Sequence, residues 1–196
     1  MSKTKEIKAI SSDLIFKAAK TMIWKYGIKK VSVEEISAEA GVSKMTFYRM
    51  YKNKDAVAAE VLNAFFEEEI LKYRKIMDSN QDFPGKIKQL IALKYENISD
   101  ASAELIAEII QHNNTFLQNL IEEQQQKFLK IFINDLKQAQ KAGWIRKDLK
   151  PDFIIYILNS LNQKLIDESF LAMYKNTNDA IMELTNFFFY GISNNK

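Results

Sequence analysis

The most chemically distinctive stretch of the chain is GVSKMTFYRMYKNK at 41–54, which gathers hydroxyl, cationic and aromatic side chains within a sequence that is 47% apolar. Arg and Lys donate hydrogen bonds to guanine edges, and Thr donates to a base or packs its methyl group on thymine. Hydroxyl and ammonium groups suit phosphate oxygens, above all near a helix N-terminus. These residue types therefore indicate a surface that binds duplex DNA.

The spacing of the stretch separates a buried side from a DNA-facing side. Phe47 and Tyr51 lie four residues apart and are expected to face the core of a helical domain. Mutation of Arg49 or Lys44 is expected to relax base preference, whereas mutation of Lys54 is expected to weaken binding to every duplex. The exposed side is predicted to carry Lys44, Met45, Thr46, Tyr48 and Arg49, and the phosphate contacts are predicted to be Ser32, Ser43, Tyr48 and Lys54.

Three helices must position this surface. An apolar stripe at helical spacing predicts the first helix from about 11 to 26, and Gly27 ends it. The sequence SVEE from Ser32 forms a capping box that opens a second helix, and Ser43 is the N-cap of a third that runs to about Met50. A helix, a short glycine-containing turn and a helix are the pattern of a DNA-binding helix-turn-helix. The stripe consists of Ile15, Ala18, Ala19, Met22 and Tyr26.

The composition favours an all-α protein with one basic end. Five Gly and two Pro in 196 residues are few for a chain with many tight turns. Residues 1–54 hold 12 Lys and Arg against 5 Asp and Glu, whereas the rest holds 16 against 20. Such a basic end is typical of a module that binds polyanions. The absence of Cys fits a reducing compartment, and we expect a cytoplasmic protein with no membrane span.

Catalysis is not expected. The single histidine, His112, cannot supply paired metal ligands, and it is interpreted as a polar residue at a helix end. No glycine-rich phosphate loop or nucleophile motif occurs in the sequence, so no cofactor is predicted.

The last two predicted helices are apolar on more than one face. The first of them is expected at 153–174, and the second includes the NFFFYGI run from 186. A surface helix of this kind needs a cover, and a second copy packed about a two-fold axis provides one as a four-helix interface. The alternative is a fully buried core helix in each subunit.

The segment SVEEISAEAGVSKMTFYRMYKNK at 32–54 resembles the DNA-binding region of the TetR family of transcriptional repressors, TVxxIAxxAGVSxGTxYxxFxxK. Met45 departs from the pattern, because the family often has Gly or a small residue there. The resemblance implies an all-α homodimer with about nine helices. It implies a helix-turn-helix DNA-binding domain at 1–54 and a helical ligand-binding and dimerisation domain at 55–196.

The resemblance further implies a repressor that binds a palindromic operator and releases it when a small molecule binds the body of the protein. An activator of the same fold, or a helical adaptor that no longer reads DNA, is the alternative. A pocket with an aromatic, mostly apolar lining would suit a lipophilic or cationic effector. The residues proposed for that lining are Tyr95, Phe116, Trp144 and Tyr156.

Overall fold

The computed structural model describes residues 3–111 and 115–193, and His112 lies outside them. The described residues form ten α-helices and one 3₁₀ turn without a β-strand, which confirms the all-α prediction of about nine helices. The helices are α1 (Lys3–Tyr26), α2 (Val33–Glu39), α3 (Lys44–Met50), α4 (Lys54–Met77), α5 (Phe83–Asp100), α6 (Ala103–Gln111), α7 (Thr115–Lys141), α8 (Pro151–Gln163), α9 (Glu168–Leu171) and α10 (Thr177–Ile192).

The chain divides into two compact units. Unit 1 contains Met1–Glu68 and Asp100–Glu122, and unit 2 contains Glu69–Ser99 and Glu123–Lys196. Unit 1 therefore holds α1 to α3, the first part of α4, α6 and the first part of α7. Helix α4 continues from unit 1 into unit 2 without a break, because its apolar positions keep helical spacing and it contains no Gly or Pro.

The core of unit 1 forms around α1. The predicted positions Ile15, Ala18 and Ala19 are buried, and α2 and α3 pack on the same helix. Ile23 is also fully buried, although the predicted stripe did not include it. Tyr26 is exposed instead, and the Lys25 ammonium lies 5.0 Å from its ring centre.

The core of unit 2 is aromatic. Tyr73 of α4 meets Phe128 and Phe132 of α7 edge to face, with ring centres 5.0 and 6.4 Å apart. Phe188 of α10 lies 6.1 Å from Phe132. Ring pairs at these distances add to the stabilisation that comes from burying the ring area.

The predicted helix at 153–174 is wrong in length. Helix α8 ends at Gln163, a 3₁₀ turn follows at Lys164–Ile166, and α9 is a separate short helix. The break occurs because the Asp167 carboxylate accepts hydrogen bonds from the backbone amides of Ser169 and Phe170, at 3.1 and 3.3 Å, and so begins a new helix. The pKa of Asp167 is lowered to about 2, and the main cause is the hydrogen bond that its carboxylate accepts from the Ser169 hydroxyl.

Every helix in the described part of the chain is too short or too polar to cross a lipid bilayer.

Candidate DNA interface

The capping box predicted at the start of α2 is present. The Glu35 amide donates to the Ser32 hydroxyl oxygen at 3.2 Å, and the Ser32 amide donates to the Glu35 carboxylate at 2.8 Å. The Ser32 hydroxyl donates to the same carboxylate at 2.7 Å and is the main cause that lowers the pKa of Glu35. Ser32 therefore fixes the start of α2, and its hydroxyl hydrogen is already donated to the Glu35 carboxylate.

The turn between α2 and α3 has the geometry of a helix-turn-helix. Gly41 takes a φ of 64°, which glycine adopts at little cost, and the chain reverses there. Ser43 then caps α3, because its hydroxyl oxygen accepts the Thr46 amide at 3.1 Å. The same oxygen lies 3.0 Å from the Thr46 hydroxyl, so these two predicted DNA contacts lie side by side.

Helix α3 has a buried side and an exposed side, as the spacing predicted. Phe47 is completely buried and Tyr51 is nearly so, and their ring centres are 5.7 Å apart. Met45 is 83% exposed, and Tyr48 and Arg49 are exposed as well. An 83% exposed methionine has no packing role within the subunit, so it is available to contact an apolar base edge such as a thymine methyl.

Lys44 is held by an ion pair within helices α1 to α3, which together form the head of the subunit. Its ammonium group pairs with the Glu34 carboxylate of α2, and this hydrogen bond is the main cause that lowers the pKa of Glu34. Both side chains are more than half exposed, so the pair contributes little to stability. To contact a base or a phosphate, Lys44 would have to break its ion pair with Glu34.

Lys54 has a structural role that sequence reasoning missed. Its ammonium group donates to the backbone carbonyls of Ile28, Lys29 and Val31, at 2.7, 3.2 and 2.7 Å. These three bonds match the three donors of an ammonium group. A phosphate contact would require Lys54 to give up part of this arrangement, so the structure favours a positioning role for it.

We expect Lys54→Met to lower the free energy of unfolding by about 1–3 kcal/mol, because the apolar stem is kept while three loop carbonyls lose a charged donor. Urea unfolding measures the change. Lys52→Met is the matched control, since Lys52 is an exposed neighbour, and it should change the free energy by less than about 0.5 kcal/mol. Equal effects of the two substitutions would contradict the positioning role.

None of the four residues proposed for the ligand pocket is among those that line the crevice in unit 2 described below. All four are exposed, with 41–67% of their area accessible, and Phe116 belongs to unit 1 whereas the other three belong to unit 2. The Trp144 ring stacks on Phe83, a residue of that lining, at 6.4 Å between ring centres. Their role in ligand binding stays a prediction.

A crevice in unit 2 is a second candidate for the ligand site. Its cavity volume is about 10 Å³, roughly room for one water molecule and far below the 300–1,000 Å³ typical of ligand pockets. At its polar end the Tyr73 hydroxyl donates to the Asp135 carboxylate at 3.0 Å, and Arg74 lies 3.3 Å from the same oxygen. The lining is Tyr73, Met77, Phe83, Ile87, Leu90, Phe132, Asp135, Leu136 and Phe189.

Comparison with known proteins agrees with this geometry. Residues 15–61 match the family model of bacterial regulatory proteins, tetR family. The HTH-type transcriptional repressor KstR2 of Rhodococcus jostii (strain RHA1) is 26% identical over 146 residues, which cover 71% of this chain and 70% of that protein.

Two solved structures share the fold. The fatty acid degradation regulator FadR from Bacillus halodurans has a TM-score of 0.70 at 20% identity and covers 92% of this chain and 95% of its own. FadR from Bacillus subtilis, in complex with stearoyl-CoA, has a TM-score of 0.68 at 18% identity, and the match covers 91% of this chain and 98% of the FadR chain.

The all-α fold and the capped helix-turn-helix of α2 and α3 are those of a DNA-binding transcriptional regulator. The match over residues 15–61, which spans α2, α3 and parts of α1 and α4, supports a regulator of the TetR family. Regulators of this family bind DNA and small-molecule effectors and act as dimers.

Proposed function

We propose that the chain is a homodimeric transcriptional repressor that binds a palindromic operator through α3 and releases it when a small molecule binds unit 2. The exposed cationic and apolar face of α3, set over the buried Phe47, is the observation that carries the proposal. The similarity to KstR2, a named repressor, supports the direction of regulation. The cytoplasm, which holds the DNA of a bacterium, is the location that the proposal implies.

Selection of duplexes from a random pool tests DNA recognition directly. The enriched sequence should be a palindrome whose half-sites are separated by about one helical turn of DNA or a multiple of it, because the heads of a symmetric dimer read both halves. A reporter gene placed behind that sequence should be less active when the protein is present. Higher activity would indicate an activator, and a pool without enrichment at low salt would indicate a helical adaptor.

Arg49→Ala is expected to weaken binding to the selected operator about 10- to 100-fold, because a base contact of this kind is worth about 1–3 kcal/mol. The loss should be largest for the operator and small for a scrambled duplex. Lys44→Ala should also weaken operator binding, but by less, because in the wild type Lys44 must first break its ion pair with Glu34 before it can contact DNA.

Fluorescence anisotropy with both duplexes measures these changes. Lys52→Ala is the control, because Lys52 is an exposed cation three residues after Arg49 that is not assigned to a base. Equal losses on operator and scrambled DNA for Arg49→Ala would remove the base-reading role and leave a phosphate contact.

The dimer interface is proposed to consist of α8, α10 and the segment between them. Helices α8 and α10 pack on each other, and large apolar side chains stand exposed along this part of unit 2. Apolar area on this scale in an isolated subunit marks an interface, and a two-fold axis would bury it in a four-helix arrangement. The exposed residues are Phe153, Tyr156, Ile166, Met173, Phe187 and Tyr190.

The effector is proposed to be a lipophilic molecule that enlarges the crevice in unit 2. Seven of its nine lining residues are apolar, and the pair Tyr73–Asp135 offers a single polar end. FadR from Bacillus subtilis binds stearoyl-CoA, and this supports a lipophilic effector. Helix α4 runs from the head into unit 2 and is the proposed route of coupling. To switch the protein fully between the DNA-binding and the released arrangement, the effector must bind one of them about 10⁴-fold more tightly than the other.

A further inference from the structure

The loop that connects α1 to α2, residues 27–31, is held on both sides by charged side chains from other helices. On the amide side, the Glu108 carboxylate of α6 accepts the backbone N–H of Ile28 at 2.7 Å and of Lys29 at 3.1 Å. On the carbonyl side, the Lys54 ammonium donates to the three carbonyls described above. We call this arrangement the loop clamp.

The amide side of the loop clamp depends on a close approach at Gly27. This residue has a φ of 81°, and a Cβ placed on it would lie 3.0 Å from a Glu108 carboxylate oxygen and 3.1 Å from the Glu104 Cβ. Only glycine combines this backbone conformation with the space that the carboxylate occupies. A glycine at position 27 therefore allows α6 to approach the loop closely enough for Glu108 to reach the loop amides.

Glu108 differs from the other contacts between α6 and the same region. Lys30 pairs with Glu104 at 2.7 Å, but this ion pair joins two exposed side chains and does not restrain the backbone. Glu108 is half-buried and bonds directly to two loop amides. Hydrogen bonds that involve a charged group and a partly buried backbone are stronger than neutral ones.

The loop clamp sets where α2 begins. Val31 is buried, its carbonyl is bonded to Lys54, and the next residue, Ser32, is the N-cap of α2. Helix α3 packs on α2 and α1 and carries the exposed face that reads DNA. A displaced loop would tilt α2 and α3 while leaving their own hydrogen bonds intact. The consequence would be altered recognition without unfolding.

We propose that Glu108 is a positioning residue for DNA recognition, which holds loop 27–31 so that α2 and α3 keep the geometry that fits the operator. The proposal rests on the DNA-binding function proposed above. Glu108 contacts neither bases nor phosphates in this role. It acts through the backbone of Ile28 and Lys29.

Glu108→Gln tests the proposal, because glutamine keeps the size of the side chain but removes the charge and one of the two acceptor oxygens that face the loop amides. The probes are the duplex enriched from a random pool by the wild-type protein and a scrambled duplex. We expect affinity for the operator to fall about tenfold, within the usual range of coupling between sites. Affinity for the scrambled duplex and the slope against salt should not change, because no phosphate contact is lost.

Glu104→Gln is the matched control, since it removes a carboxylate one turn earlier on α6 that has no bond to the loop backbone. It should bind the operator within twofold of wild type. Amide hydrogen exchange provides the local readout: Ile28 and Lys29 should exchange faster in Glu108→Gln, while amides in the buried part of α4, such as Val61, stay protected.

The positioning role would be overturned if Glu108→Gln lost the same affinity for the operator as for the scrambled duplex. It would also be overturned if Glu108→Gln and Glu104→Gln bound the operator equally well. If Glu108→Gln does not fold, Glu108→Asp decides, because it keeps the charge but shortens the reach by one methylene. Selective loss of operator affinity by a folded Asp variant supports the proposal, whereas full affinity, or failure of both variants to fold, overturns it. A wild-type protein that enriches no duplex would instead refute the DNA-binding function itself.

Discussion

Phe47→Ala is expected to lower the free energy of unfolding of unit 1 by about 3–5 kcal/mol, which is the usual cost of truncating a fully buried phenylalanine. The ring lies beneath the exposed side of α3 and contacts Tyr51, so its loss leaves a cavity between α3 and α1. Because α3 has only seven residues, it depends on this packing to stay helical. Operator binding should be lost together with stability.

Trp24 fluorescence during urea unfolding measures the effect. Trp24 belongs to unit 1 and lies 4.9 Å from the Phe65 ring, and a Trp144→Phe background leaves it as the only tryptophan. Tyr48→Ala is the matched control, because Tyr48 is the next aromatic residue on α3 and is exposed. It should weaken DNA binding while changing stability by less than about 1 kcal/mol. If both variants unfold at the same urea concentration, the assignment of buried and exposed sides is wrong.

The head could be predicted from the sequence because its signals are local. The capping box of Ser32 and Glu35, the turn at Gly41 and the N-cap Ser43 each depend on residues within four positions. A hydroxyl or carboxylate at the right spacing satisfies an amide in its own first turn, and the rest of the protein is not needed. The same locality made Phe47 a reliable core residue.

The loop clamp could not be predicted, because its contacts join residues far apart in the chain. Lys54 bonds to carbonyls 23 to 26 positions earlier, and Glu108 bonds to amides 79 and 80 positions earlier. In the sequence Lys54 is one cation among several in a basic stretch, and its type suits phosphate as well as it suits a carbonyl. Only the packing of α4 and α6 around residues 27–31 distinguishes the two roles.

In unit 2 the sequence predicts helices, but it shows neither their exact ends nor which aromatic residues would bind a ligand, for a related reason. Aromatic residues such as Tyr95, Tyr156 and Trp144 are equally compatible with a pocket lining and with an exposed face, and periodicity does not separate these. The break after Gln163 was missed because Asp167 caps a helix of only four residues. Runs of apolar residues on both sides of that break read as one continuous helix.

Among substitutions that leave the subunit folded, disruption of the proposed dimer should have the largest effect on operator binding. Phe187→Glu places a charge on α10 where the side chain is 66% exposed in the single subunit, so the subunit itself loses little packing. Within a two-fold interface two such charges would face an apolar surface, and burying an unpaired charge costs several kcal/mol. The protein should sediment as a monomer at concentrations where the wild type is a dimer.

A monomer carries one reading head, so binding to the two half-sites of a palindrome loses the gain from linkage, which is about 10²- to 10⁴-fold. We expect the operator affinity of Phe187→Glu to fall to that of a single half-site, while Trp24 fluorescence shows an unchanged head. Leu71→Glu is the matched control, because Leu71 is 70% exposed on α4, outside the proposed interface. A Phe187→Glu protein that still sediments as a dimer would place the interface on another surface, whereas a dimer broken by Leu71→Glu would move it to α4.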